Sequence, residues 1–230
     1  FRVRHFGVCG YRISPSLLIR KIIRIVDQNP DIHVWNLSLG TSEEIARNFM
    51  SYESSILDEI QATKNVIFVV SGTNNSFGSP ADSLNSIVVN SVRRDNKPCS
   101  YTRSGPVLSF FNKPDISYYG GDINEKITVC SPSGIVKEMG TSFAAPWISR
   151  KLCFLIDKMG FPREVAKALI IDAAAGWEYK QFGYKNQQLI GYGVVPIKIE
   201  DVLHCENSEI RFVLYESSTS YKTANYAIPV

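Results

Sequence analysis

Histidine is scarce in this 230-residue chain: His5, His33 and His204 are the only three. The five cysteines, Cys9, Cys99, Cys130, Cys153 and Cys205, are scattered, odd in number and form no C-x-x-C pair. That excludes a disulfide framework and a zinc knuckle, and it favours a reducing, cytoplasmic compartment. Cys153 lies in an apolar helical stretch and reads as a small core residue. No D-x-D/N-x-D/N-G loop occurs, so no metal site is assigned and no cofactor is expected. No apolar run approaches the roughly 20 residues of a membrane span. Net charge is only +3, and short basic clusters such as Arg20-Lys21 and Arg93-Arg94 read as solvated faces, so no nucleic-acid partner is expected. Internal repeats and low-complexity stretches are absent. The chain opens on Phe1-Arg2-Val3-Arg4, without an initiator methionine or signal peptide, and ends at Pro229-Val230. The expectation is a piece of something longer.

What is present is an ordinary globular balance, 44% hydrophobic and 20% charged, which argues against disorder. Residues 1–9 alternate and read as a short strand. Leu18, Ile22, Ile25 and Val26 recur at helical spacing and predict an amphipathic helix over 16–28, stopped by Asn29-Pro30. A strand is expected from His33 to Leu39. A helical region follows on Ile45, Phe49, Ile56, Leu57 and Ile60, interrupted near Ser51. Val66 to Val70 is a nearly pure apolar run, typical of a parallel strand buried on both faces. Ile87-Val88-Val89 and Ile127-Thr128-Val129 predict further strands, residues 142–159 a helix, and Pro162 to about Ala175 a last helix. Alternating strands and helices imply an α/β fold with a parallel sheet. From about Val202 the pattern changes: Ile210 to Tyr215 and Tyr221 to Ile228 look like β segments without a helix between them.

The most informative run is Gly140-Thr141-Ser142-Phe143-Ala144-Ala145-Pro146. A serine between small residues at the mouth of a helix suits acyl transfer. Small neighbours admit a substrate carbonyl, and the free N–H groups of the helix start can hold an oxyanion. Three further segments stand in order: Asn36-Leu37-Ser38-Leu39-Gly40, Val69-Val70-Ser71-Gly72-Thr73-Asn74-Asn75, and Ser100-Tyr101-Thr102-Arg103-Ser104-Gly105-Pro106 with Lys113-Pro114-Asp115-Ile116. Gly191-Tyr192-Gly193 closes the series. Taken singly, each is bland. A serine before a helix is usually an N-cap, and Asn74-Asn75 is usually a turn. Asn36-Leu37-Ser38 and Asn74-Asn75-Ser76 also match glycosylation sequons, which are discounted. Their joint occurrence in register outweighs these readings.

Together the blocks resemble those of the subtilisin-like serine peptidases (subtilases, peptidase S8), over roughly residues 1–200. The resemblance implies a three-layer α/β, parallel-sheet subtilisin-like domain, incomplete in this chain, with a short β-rich C-terminal extension over 201–230 similar to those of multidomain bacterial subtilases. It also implies a polypeptide substrate. Ser142 would be the nucleophile, and the Asn74 side chain would donate to the oxyanion. Ser38, Leu39 and Gly40 would bind the substrate backbone as an added strand. Ser71, Gly72 and Thr73 would line the cleft, with Gly72 letting the substrate lie close. The chain departs from the family pattern at Thr73, where glycine is usual, at Trp147, where histidine is common, and at Ser149-Arg150-Lys151, where small residues stand.

A serine nucleophile needs a general base and an orienting carboxylate. The family carries them in D-S/T-G and H-G-T segments before the serine, and neither occurs here. None of the three histidines has the required glycine-threonine neighbours. The expectation is a fragment, inactive by itself, of an active endopeptidase whose Asp and His lie upstream. The alternative is a peptide-binding domain that does not cut. An α/β-hydrolase esterase would need a G-x-S-x-G elbow, which is absent. A chain missing its first strands is also expected to expose apolar surface, to dock the missing N-terminal part, and to self-associate.

Overall fold

The computed structural model describes residues 15–41, 45–46, 48–72, 78–102, 107–108, 110–174, 188–207 and 211–217. The expected strand over 1–9 lies outside them. Helix α1 spans Pro15–Asp27 and buries Ile19 and Val26, while Arg20, Lys21 and Arg24 stay exposed. It ends where Pro30 cannot continue the ladder, and the Asn29 side chain donates to the Ile25 carbonyl (2.7 Å).

Four parallel strands follow: β1 (Val34–Leu37), β2 (Ile67–Ser71), β3 (Ile87–Val92) and β4 (Ile116–Tyr119), arranged in that order. Every residue of β2 and β3 is buried, as a sheet covered on both faces requires. Successive side chains point to opposite faces, and the two cores divide along that alternation. Ile67, Val69, Ile87 and Val89 face a core shared with α3 (Thr141–Cys153) and α4 (Arg163–Ala173). Phe68, Val70 and Val88 face the other, packed with α1 and α2 (Tyr52–Thr63). The result is the expected three layers.

Some expectations need correction. The helical region starting at Ile45 begins only at Tyr52, because Ser51 caps it: Ser51 Oγ accepts the Ser54 N–H (3.2 Å), and Asp82 holds both Ser51 and Ser54. Ile127-Thr128-Val129 does not join the parallel sheet. It belongs to β5 (Ile127–Ser131), which forms an antiparallel hairpin with an unforeseen β6 (Gly134–Glu138). Along β5 half-buried and exposed residues alternate, the pattern of a strand with only one covered face. The helix expected over 142–159 ends as α-helix at Cys153 and continues as a π-turn over Phe154–Lys158. Residues 211–217 form no strand. Phe212 and Leu214 stand exposed there, since β-propensity without a partner edge does not make a strand. Residues 210 and 221–228 lie outside the described set. Among the described residues no helix is long and apolar enough to cross a membrane.

The sheet is pinned by a buried ion pair. Lys113 Nζ donates to Asp115 Oδ2 (2.6 Å) and to the Ser86 carbonyl (3.1 Å), while the same Asp115 oxygen accepts the Val88 N–H (2.7 Å). Both side chains are nearly sealed from water, 2% and 9% exposed. Replacing Lys113 by methionine strands a carboxylate beneath β3 and β4. The expected loss is about 3–5 kcal/mol, seen as a lower midpoint in urea unfolding.

Candidate active site

Helix α3 begins at Thr141, so Ser142 is its second residue and its N–H has no acceptor inside the helix. Gly140 precedes it with φ +149°, a conformation open to glycine and costly for other residues. The Gly140 N–H donates to the Gly120 carbonyl at the end of β4 (3.0 Å), which ties the helix start to the carboxyl edge of the sheet. Gly120 must itself be glycine. A Cβ there would lie 2.3 Å from Ser91 Oγ and 2.7 Å from the Gly140 carbonyl.

Beneath that contact is a compact polar cluster that the sequence blocks did not explain. Tyr101 OH donates to the Gly121 carbonyl (2.6 Å), and Cys99 Sγ points to the same oxygen (3.1 Å); both also reach Ser91 Oγ. Burial raises the pKa of both the Tyr101 phenol and the Cys99 thiol, so both stay protonated donors at neutral pH. Only their convergence on one carbonyl reveals the role, and that depends on chain segments 20 residues apart meeting in space.

Pro146 sits inside α3 and has no N–H, so the carbonyl of Ser142, four residues back, loses its helical donor. Ser38, just past the end of β1, supplies one: its hydroxyl donates to the Ser142 carbonyl (3.3 Å). The bond is one link in a chain. Asn36 Nδ2 donates to Ser38 Oγ (2.9 Å), and Ser149 Oγ donates to Asn36 Oδ1 (3.2 Å). Residues of β1 and α3 are thus laced side by side, antiparallel. The structure therefore brings Ser38 to the Ser142 main-chain carbonyl and gives Ser38 a structural duty.

The other candidates are distributed as follows. Ser142 and Leu39 are half-buried, and Ser38 and Gly40 are exposed. Ser71 ends β2 and is buried, as is Gly72. A Cβ on Gly72 would lie 2.0 Å from Asn90 Oδ1, so this glycine makes room for the Asn90 side chain, which donates to the Leu189 carbonyl (2.8 Å). Thr73 and Asn74 lie outside the described residues. Gly191, at φ +67°, presses on the Asp115 carbonyl, where a Cβ would come within 2.2 Å. Among the described residues no cluster of histidine, cysteine and carboxylate side chains could hold a metal ion.

A histidine–carboxylate pair does exist, His33 Nδ1 to Asp157 Oδ1 at 2.9 Å. It is at the wrong end. His33 precedes β1 whereas Ser38 follows it, a separation of about 15 Å along an extended strand. Asp157 lies 15 residues beyond Ser142, roughly 20 Å along the helix. His204 follows the short helix α5 (Glu200–Leu203), which packs on α4, and His5 lies outside the described residues.

The Ser38 bond has a checkable consequence. Ser38→Ala is expected to cost about 0.5–1.5 kcal/mol. Pro146→Ala restores a helical N–H for the Ser142 carbonyl, so Ser38→Ala costs less in that background. A double-mutant cycle by urea unfolding should return a coupling of about 0.5 kcal/mol or more.

The profile of the Subtilase family (peptidase S8) matches residues 10–193. No curated protein sequence matches the chain. Among solved structures it is similar to the prenylagaramide maturation protease PagA, with 22% identity and a TM-score of 0.65 over 86% of this chain and 70% of that one. It is similar to the PatG macrocyclase in complex with peptide, with 20% identity and a TM-score of 0.62 over 84% of this chain and 56% of the other. The epidermin leader peptide processing serine protease EpiP from Staphylococcus aureus shares 17% identity and a TM-score of 0.65 over 90% of this chain and 57% of its own. This chain thus spans little more than half the length of two of these three. At such identities the structures speak for the fold, and the profile, covering well over half of the chain, decides its membership: the chain belongs to the subtilase family.

Proposed function

We propose that this chain is the nucleophile-bearing part of a serine endopeptidase. The observation that carries the reading is Ser142 at the second position of α3, half-exposed, behind a positive-φ glycine and over the carboxyl ends of β1 and β4. Ligands of open α/β sheets bind at that edge.

In this reading Ser142 Oγ attacks the scissile carbonyl, and its proton passes to a histidine base. The tetrahedral oxyanion is held by the Ser142 N–H and by the Asn74 amide. Losing one such donor costs about 10²–10³ in turnover, a figure taken from subtilisin itself. The substrate backbone runs beside Ser38, Leu39 and Gly40, past Ser71, Gly72 and Thr73. Its being a polypeptide is supported by the peptide bound to the PatG macrocyclase, a structural neighbour. The base and its carboxylate come from residues outside this chain, since His33 and Asp157 pair at the far end of α3. The 230 residues alone are accordingly inactive.

Fluorophosphonate labelling of the longer parent protein tests this. The parent should label, its Ser142→Ala variant should not, and the isolated chain should show no turnover of peptide substrates. A parent that does not label would identify a domain that binds peptides without cutting them. Robust cleavage by the isolated chain would show that its base lies within these residues.

A further inference from the structure

Among the described residues, the face of α3 turned away from β1 stays partly open. Phe143, Trp147, Arg150 and Phe154 recur along it at helical spacing, with Trp147 46% exposed. They form one wall of a groove of about 1200 Å³, whose other walls are Tyr118 and Tyr119 of β4, β5, and residues 194–200. That is more than the roughly 300–1,000 Å³ typical of small-molecule sites. At its floor Ser117 of β4 pairs with residues 193–195, exchanging hydrogen bonds with the Gly193 carbonyl and the Val195 N–H.

The groove is aromatic and cationic together. Arg150 lies over the Trp147 ring (5.7 Å), Lys151 over Tyr118 (5.6 Å) and Arg94 over Tyr119 (5.8 Å). Lys198 stands on the opposite wall, and Glu200 is the one carboxylate in the lining. Arg93 and Arg94 already face Asp95 and Glu125. Arg150 and Lys198 have no carboxylate partner among the described residues, so the groove holds uncompensated positive charge. Burial and the nearby Arg150 pull the Lys151 ammonium below its usual pKa, against the weaker opposite pull of Glu200 and Asp201.

We infer that this groove binds an acidic peptide segment, with carboxylates at Arg150 and Lys198 and apolar side chains against Trp147, Tyr118 and Phe154. Two unpaired cations are too few to follow a phosphate backbone, and the cations already cover the ring faces on which bases would stack. A peptide alternating glutamate with leucine supplies both chemistries. The site lies beside Ser142, through Phe143, but does not depend on whether Ser142 cleaves.

The test is a titration of the chain with a fluorescein-labelled peptide alternating Glu and Leu, its Gln counterpart, and a single-stranded oligonucleotide of equal charge. Anisotropy and Trp147 emission are read, with Trp147→Phe as the control for the emission change. The acidic peptide should bind at least tenfold more tightly than the Gln peptide, weaken as salt is raised, and lose at least tenfold with Arg150→Glu plus Lys198→Glu. Should that variant fold poorly by circular dichroism, Arg150→Gln plus Lys198→Gln should still lose several-fold. Absence of binding, equal affinity for both peptides, or indifference to folded charge variants overturns the inference. Tighter binding of the oligonucleotide overturns it in favour of nucleic acid. None of these readouts involves Ser142, so they stand apart from the fate of the peptidase reading.

Discussion

Ala144 and Ala145 are fully buried, and with Ile148 and Leu152 they let α3 lie directly on the sheet, in contact with all four parallel strands. The close approach depends on side chains that end at Cβ. It also depends on the start of the helix being held in place, because Pro146 deprives the Ser142 carbonyl of its normal donor. The Ser38 hydroxyl fills that vacancy from the end of β1, and Gly120 holds Gly140 from the end of β4. Ser142 is thereby fixed from two strands at once.

The antiparallel lacing of α3 on β1 then dictates what else can meet Ser142. The residue just before β1 is carried to the far end of the helix, where His33 meets Asp157. A histidine, an aspartate and a serine all exist in the chain, yet the direction of two elements keeps the pair and the serine apart. Residue inventory alone would not expose this, because it is a matter of which end of a helix lies over which end of a strand.

The outer side of α3 carries Trp147 and Arg150, with Lys151 beside them. The structure gathers them with Tyr118 and Tyr119 into one groove. Trp147 shares one face with Arg150 and Lys151, since positions three and four apart on a helix are neighbours. The same helix therefore presents Ser142 at its tip and a cationic, aromatic face along its side.

Much of the fold was legible in the residues. Purely apolar runs such as Val66 to Val70 announce strands covered on both sides, and the helical spacing of Ile22, Ile25 and Val26 announces α1. The blocks around Ser38, Gly72 and Ser142 identify the family. The β5–β6 hairpin was not legible as such, because a short apolar triplet at 127–129 does not say which neighbour it pairs with. Nor were the duties of Gly72 and Gly120. Their missing Cβ atoms make room for Asn90 and for Ser91 with Gly140, partners distant in sequence. The sequence by itself determined the chemistry on offer, a serine at a helix start among small residues, since local spacing and side-chain type are written in the chain. Only the tertiary structure decided which groups stand beside that serine and which are carried out of its reach, because element direction and register arise from packing over the whole sheet.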